Sequence, residues 1–239
     1  GVRAANGVIL ITTKKGSRGR AVVSYDGYVG WQSATRMPKF LDSYNYAMLM
    51  NEAYKNDNLE GPYGTDALTK FQNGSDPDNY ANSDWLGTLL SENGLFHNHH
   101  LSIKGGSDKL IYALAFNYHD KDGLIENTNY NKFSVRANLE AYINKRLKIT
   151  TNMAVYRSNM TAPAEGISNL MHYAFRETPV TPIQLQNGNY TLFKNEHNSV
   201  AAARNSGIYK EVNNNFQGSV GMDLDIVDGL KLRGIAATT

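Results

Sequence analysis

The chain has 239 residues, a net charge of +2 at neutral pH and no cysteine. The weak charge, carried by scattered basic residues, argues against nucleic acid as a partner, and the lack of cysteine excludes disulfides and thiolate chemistry. The longest apolar run, Val8 to Ile11, is far shorter than the roughly 18 residues that a membrane-spanning helix needs. This excludes only membrane proteins that cross the bilayer with helices, because strands of about ten alternating residues can also cross a bilayer.

The first residues predict a buried strand and then a change of structure. Asn6-Gly7 is a turn signal ahead of residues 8–13, which are apolar on both faces as in a strand buried between layers. Residues 14–19 interrupt this run, and regular alternation begins at Arg20. We place a junction between two kinds of β-structure here and assign it to Asn6, Gly7, Gly16 and Gly19. Because neither end shows a signal peptide or a closing turn, we expect a piece of a longer protein.

Strand-type alternation recurs through the rest of the chain. Its clearest example is residues 131–156, where apolar and polar side chains alternate around a pause at 144–146. Similar patterns cover residues 101–118 and 216–226, and Asp228-Gly229 then gives a strong hairpin signal. The sequence therefore predicts an all-β, antiparallel fold.

Two long segments, about 32–96 and 159–214, lack this alternation. The first contains a predicted helix after Asp42 or Ser43 and a second over Thr65 to Asn73, which ends at Gly74. The second contains a predicted helix around Ile167 to Arg176. We expect both segments to be long connections between strands.

The connections alternate between long or medium and short, which is typical of an outer-membrane β-barrel. Aromatic residues lie near the long-connection ends of the apolar faces, as expected at a membrane surface: Trp31, Tyr118, Phe133 and Phe216. The alternative is a soluble secreted β-sandwich that binds a partner, which alternation and tyrosine richness also suit.

Three groups of polar residues invite chemical roles. His97, His99 and His100 suggest a metal site, but no third ligand for His97 and His99 is visible nearby. Oxygen ligands for calcium are offered by Asp76, Asp78, Asn79, Asn82 and Asp84, which ordinary turn chemistry also explains. The pair Asp223 and Asp225 fits a polar barrel interior. We therefore predict no catalytic residues, no metal site, no cofactor and no enzymatic activity.

Three stretches resemble a known family. "AANGVILITTKKG" resembles the end of the plug domain of TonB-dependent outer-membrane transporters of the SusC/RagA type, found in Bacteroidetes. The segment "NHHLSIKGGSDKLIYALAFNYHDKDGLIENTNYNKFSVRANLEAYINKRLKITTNMAVYRSN" resembles the early barrel of that family, and "GSDPDNYANSDW" resembles the segment before it.

This resemblance implies a partial transmembrane antiparallel barrel. Residues 1–15 would be the C-terminal end of an α/β plug domain, and residues 16–239 about seven strands of a 22-stranded barrel. The long loops, about 32–96 and 159–214, would be extracellular. The implied location is the bacterial outer membrane, in contact with its lipid.

The resemblance also implies a function: active import of a nutrient, an oligosaccharide or a peptide. A TonB complex would supply energy through an N-terminal box absent from this sequence, and a SusD-like surface lipoprotein would act as a lid. Aromatic loop residues that could contact the substrate or the lid are Tyr63, Tyr80, Trp85, Tyr173 and Tyr190. A TonB-dependent siderophore or vitamin receptor, which shares plug and barrel, is an alternative.

Overall fold

The computed structural model describes residues 16–194 and 196–239, which form one antiparallel sheet and a layer of short helices. Seven strands follow each other across the sheet in chain order. They are β1 (Gly19–Gln32), β2 (Gly94–Gly106), β3 (Leu110–Asp122), β4 (Asn129–Tyr142), β5 (Leu147–Pro163), β6 (Ile208–Val227) and β7 (Leu230–Thr238). The predicted all-β architecture is confirmed, whereas the predicted plug strand in residues 1–15 lies outside the described residues.

Five helices are described, all in the long connections: α1 (Ser43–Asn56), α2 (Thr65–Asn73), α3 (Trp85–Leu89), α4 (Ile167–Ala174) and α5 (Ser199–Asn205). Helix α1 begins after Asp42, whose side chain accepts a hydrogen bond from the Asn45 N–H. Helix α2 ends as predicted at Gly74, where φ is 66° and glycine is favoured. Within the described part of the chain, no helix combines the length and apolar character needed to cross a membrane.

The strands reach further towards the long connections than their sequence pattern predicts. Strand β5 runs to Pro163 and β6 begins at Ile208, inside the segment expected to be irregular. These outer portions, such as Asn213 to Asn215, are polar on both faces, so no alternation marks them. The long connections are therefore 33–93 and 164–207, and residues 123–128 join β3 to β4.

The register gives the sheet one apolar face. Across β2, β3, β4 and β5, Leu101 pairs with Phe116, Phe116 with Val135 and Val135 with Val155. Large side chains of this face are broadly exposed, including Tyr25 at 62 %, Phe133 at 50 % and Val155 at 46 %. No second sheet covers them in residues 16–194 and 196–239. The β-sandwich alternative is therefore wrong for the described residues, because a sandwich buries this face between two sheets.

The two described junction glycines each need the absence of a side chain. A Cβ on Gly16 would overlap the carbonyl oxygen of Tyr112 on β3. Gly19, the first residue of β1, has φ +128°, which L side chains rarely adopt. The remaining predicted junction residues, Asn6 and Gly7, lie outside the described residues.

The hydrophobic core lies in the long connections rather than on the sheet. It joins α3, α4, α5 and the β3–β4 connection through buried side chains: Trp85, Leu86, Leu89, Ile125, Leu170, Ala174, Val200 and Ala203. We call the connections 33–93, 123–128 and 164–207 the loop layer. The core therefore holds α3, α4, α5 and the β3–β4 connection together, with members from all three connections.

Replacement of Leu170, which is 0 % exposed, tests this core. We expect Leu170→Ala to destabilise the loop layer by about 2–5 kcal/mol, because it removes buried apolar volume and leaves a cavity. Hydrogen exchange at the amides of α3, α4 and α5 in the full-length protein should accelerate together. Leu192→Ala is the control, since Leu192 lies in the same connection and is 53 % exposed. Equal exchange in both variants would contradict a shared core.

Candidate functional site

The four aromatic residues of the apolar face do not share one register row. Tyr118 and Phe133 are direct partners. On β1, Trp31 lies four residues further towards the long connections than Gly27, which aligns with Tyr118 through His99. On β6, Phe216 lies two residues nearer the short turns than Asn214, which aligns with Phe133 through Arg157. From β1 to β6 the aromatic positions therefore move towards the short turns, by four residues between β1 and β3, none between β3 and β4 and two between β4 and β6.

The size of this step matches the strand tilt of a closed barrel. Six residues over five strand-to-strand steps is about 1.2 residues per strand, or about 4 Å along a strand. With neighbouring strands about 4.8 Å apart, this average slope corresponds to a strand tilt of about 40°, which brings Trp31 and Phe216 to one level and Tyr118 and Phe133 to within about 5 Å of that level. Barrel strands tilt by about 35–45°. We call this set the aromatic row: Trp31, Tyr118, Phe133 and Phe216.

Polar side chains form a hydrogen-bonded chain just beyond the aromatic row. Tyr118 donates its O–H to Asp120 (2.9 Å), and Asp120 accepts a hydrogen bond from Asn129 (3.1 Å). Further along, Asn159 donates to Asn131 at 2.7 Å. The apolar face thus changes to a polar one within a few residues, as expected where a membrane ends.

The opposite face of the sheet is polar and carries paired charges. Asp223 lies within 2.9 Å of Lys148 Nζ and 2.5 Å of Arg233 Nε. The ammonium of Lys132 lies 4.2 Å from the ring centroid of Tyr156. Asp223 therefore has a structural role in this ion-pair group, and Asp225 is separately paired with Lys231 at 3.1 Å.

The two long connections are bound to each other above the sheet. The indole N–H of Trp85 donates to the Thr178 carbonyl at 2.9 Å, and the Ser83 N–H donates to the Pro179 carbonyl at 2.9 Å. The shorter β3–β4 connection joins them, because Arg204 contacts Glu126 at 2.8 Å. Chain segments far apart in sequence therefore hold one another in fixed positions.

A cavity of about 650 Å³ lies between the two long connections. Residues 38–42, 82–86 and 174–179 line it. Phe40 and Phe175 form an aromatic pair across it, with ring centroids 6.1 Å apart, and both are about half exposed. Its volume is that of a small-ligand pocket, and its walls combine aromatic with charged groups.

The structure separates the five aromatic residues predicted to contact a substrate. Trp85 is only 3 % exposed but lines the cavity. Tyr63 and Tyr80 pack edge-on against Phe71, at 5.7 and 5.3 Å between centroids. Tyr173 stacks on His197 at 4.3 Å, and the hydroxyl of Tyr190 lies 3.2 Å from Arg204. These five residues are therefore spread over the loop layer and form no single platform.

Several of the residues suggested as metal ligands form hydrogen bonds with other groups, and none belongs to a complete set of ligands in the described residues. His97 and His99 share a face with ring centroids 5.1 Å apart, and His99 contacts the Tyr25 hydroxyl at 2.7 Å. In the calcium candidate, Asp84 caps α3 and Asp78 accepts from the Gln186 N–H. Among the described residues, no group of three or more His, Asp or Glu side chains is arranged to hold a metal.

Two buried ionisable groups in the loop layer were missed at the sequence level. Glu177 is 8 % exposed and accepts hydrogen bonds from the N–H (2.8 Å) and O–H (2.5 Å) of Ser199. Burial raises the pKa of its carboxyl, while the Ser199 bonds oppose that rise. Burial lowers the pKa of His197, whose Nε2 is buried without a partner in the described residues. Neither position carries a sequence signal, because each depends on the partner that packs against it.

Glu177 provides a test of how the loop layer is held. Glu177→Ala leaves the Ser199 N–H and O–H unpaired, at a cost of about 1–3 kcal/mol for each buried group. Glu177→Gln keeps an acceptor of the same shape and should cost less. Because the folded-state pKa is raised, the wild-type layer should gain stability as pH falls towards 4.5, and the Gln variant should lack this gain. Hydrogen exchange at the amides of α5, measured against pH, gives both the stability cost of each variant and its pH dependence. An equal loss of stability in the Ala and Gln variants would contradict the role of Glu177 as a hydrogen-bond acceptor.

The curated relatives of this chain are TonB-dependent receptors. It is 28 % identical over 199 residues to TonB-dependent receptor P3 of Formosa agariphila, covering 80 % of this chain and 18 % of the relative. It is 32 % identical over 154 residues to TonB-dependent receptor SusC of Bacteroides thetaiotaomicron, covering 64 % of this chain and 14 % of SusC. No family model matches. The chain thus spans less than a fifth of the length of these relatives.

Solved structures share the fold. The RagAB peptide importer in its "open-open" state superposes with a TM-score of 0.71 at 17 % identity, over 99 % of this chain and 29 % of the matched chain. The "closed-closed" state gives a TM-score of 0.68 at 18 % identity, over 99 % of this chain and 30 % of the matched chain. The class of structure follows from this likeness, from the open sheet and from the slope of the aromatic row. It is a segment of a barrel-type antiparallel sheet. The curated homologues of this chain are TonB-dependent receptors, SusC among them, so the resemblance that its motifs carry is confirmed.

Proposed function

We propose that this chain forms part of an outer-membrane importer that takes up an oligosaccharide or a peptide with energy supplied through TonB. The observation that carries the proposal is the uncovered apolar face, whose aromatic row has an average slope that matches the strand tilt of a barrel. A face of this size is costly in water but stable against lipid. The curated relatives are all named as TonB-dependent receptors, which supports import over a binding module.

In this proposal the loop layer lies outside the cell and the short turns lie in the periplasm. The loop layer is the part of the described chain that meets the substrate, and a SusD-like lipoprotein covers it as a lid. Its cavity is available to either partner, and so are the partly exposed predicted contact residues Tyr63, Tyr80, Tyr173 and Tyr190. The fifth predicted contact residue, Trp85, is buried and forms part of the cavity wall. The likeness to RagAB and SusC favours an importer with a SusD-like lid over a siderophore or vitamin receptor.

Import is tested by deleting the gene from its natural host. The deletion strain and a strain lacking TonB should both fail to grow on one nutrient class, supplied as defined peptides or as oligosaccharides, and should grow normally on free amino acids and monosaccharides. Restoring the full-length gene should restore growth only when TonB is present. Normal growth of the deletion strain on every polymer would refute the proposal.

The membrane orientation of the sheet predicts opposite outcomes for two positions on β3. Leu114 lies on the apolar face near the middle of the band, and Asn117 lies on the polar face. Leu114→Arg should destabilise the full-length protein in lipid by about 2–4 kcal/mol, whereas Asn117→Arg should be tolerated. Urea titration in lipid vesicles measures both variants. If the two substitutions cost the same, the apolar face does not contact lipid.

A further inference from the structure

The cavity in the loop layer carries two positive charges that the described residues leave without a negative partner. Lys39 forms neither a hydrogen bond nor an ion pair within residues 16–194 and 196–239. Within the described residues, the Arg176 side chain forms no ion pair and shares one hydrogen bond with the His172 ring, at 3.2 Å between Nη1 and Nε2. Both side chains are exposed. The two cations can therefore bind an incoming anion without first breaking an ion pair of the protein.

The carboxylates of the same cavity are already engaged. Asp42 accepts from the Asn45 N–H at 2.8 Å, and Asp84 from the Gly87 N–H at 2.8 Å, so both cap helices. Glu177 accepts two hydrogen bonds from Ser199. Backbone N–H groups at helix N-termini offset carboxylate charge. All three carboxylates thus accept from a backbone N–H at the start of a helix, and Lys39 and Arg176 are the charged groups of the cavity that are not engaged in this way.

Each cation lies next to a half-exposed phenylalanine in the chain. Lys39 precedes Phe40, which is 53 % exposed, and Arg176 follows Phe175, which is 49 % exposed. The two rings contact each other across the cavity at 6.1 Å. Large aromatic side chains held open on a folded loop surface are typical of binding sites.

We propose that this cavity binds a carboxylate attached to an apolar group, with Lys39 and Arg176 holding the carboxylate and the Phe40–Phe175 pair holding the apolar group. Two sources supply this chemistry: the C-terminal residue of a peptide with an apolar side chain, and a uronic acid, whose sugar ring presents an apolar face of C–H groups to an aromatic ring. A neutral oligosaccharide lacks the charge that the cations would bind. The inference rests on the proposed import function, whose substrate class it narrows.

The test uses the full-length protein in detergent, without a lid protein, and titration calorimetry. The probes are N-acetyl-Leu-Phe as the free acid, the same dipeptide as its C-terminal amide, tetragalacturonate and maltotetraose. The free acid, tetragalacturonate or both should bind, and the amide and maltotetraose should bind about tenfold more weakly or not at all. Tight binding of the dipeptide with weak binding of tetragalacturonate, or the reverse, identifies the source. Equal binding of acid and amide, together with equal binding of the two sugars, would overturn the proposal.

Variants test the two parts of the site separately, the cations that hold the carboxylate and the aromatic pair that holds the apolar group. Lys39→Ala and Arg176→Ala should each weaken binding of the acidic probe several-fold, up to about tenfold, and Arg176→Lys should restore most of the loss. Phe40→Ala should weaken the acid and the amide alike. Lys55→Ala is the matched control, because Lys55 is exposed on the same connection but does not line the cavity. If Lys39→Ala and Arg176→Ala bind like Lys55→Ala, the cations do not hold the ligand.

Growth measurements keep this inference separate from the import proposal. If cells with Lys39→Ala and Arg176→Ala take up the nutrient normally while the deletion strain does not, import stands and the cavity assignment fails. If the deletion strain grows normally but the purified protein binds the acidic probe as predicted, the cavity assignment stands and import fails.

Discussion

The register between neighbouring strands is the constraint on which the rest of this structure depends. Side chains alternate between faces along every strand, so a slip of one residue would move a whole strand's apolar side chains to the polar face. The register observed from β1 to β7 places Phe116, Val135 and Val155 in one continuous row. It also sets the displacement of the aromatic row, because the displacement of aromatic positions from strand to strand can be read only from pairing. The proposed lipid contact and the strand tilt inferred from the aromatic row therefore rest on the same hydrogen bonds.

A second consequence concerns where the stabilising core lies. A soluble domain buries the apolar face of its sheet, but here that face stays exposed and the buried core is in the loop layer. The loop layer must therefore be held by its own contacts, and it is: Trp85 donates to the Thr178 carbonyl, and Glu177 binds Ser199. Loops that share a core keep defined positions, which is a condition for forming a cavity between them.

The sequence predicts the regular parts of this fold well and the cavity not at all. Strand alternation predicted the strand faces and the positions of the short turns, and Gly74 marked the end of α2 correctly, because both signals are local. The outer parts of β5 and β6 were missed since their residues, such as Asn213 to Asn215, are polar on both faces. Helices α3 and α5 are too short to show a period. The cavity joins Phe40 to Phe175, and no local pattern indicates that residues so distant in the chain meet.

The outer part of the β5–β6 strand pair explains how the loop layer can present a stable binding surface. Strand β6 continues from Phe216 outward to Ile208, and every residue of this outer portion is paired with β5. The strand pair therefore extends well beyond the aromatic row. Helix α5 contacts β5, and the core then connects α5 to α3 and α4. The walls of the cavity are thus fixed to the sheet through a continuous series of packed elements. A site fixed in this way loses less conformational entropy when a ligand binds, so two exposed cations and two aromatic rings can suffice for useful affinity.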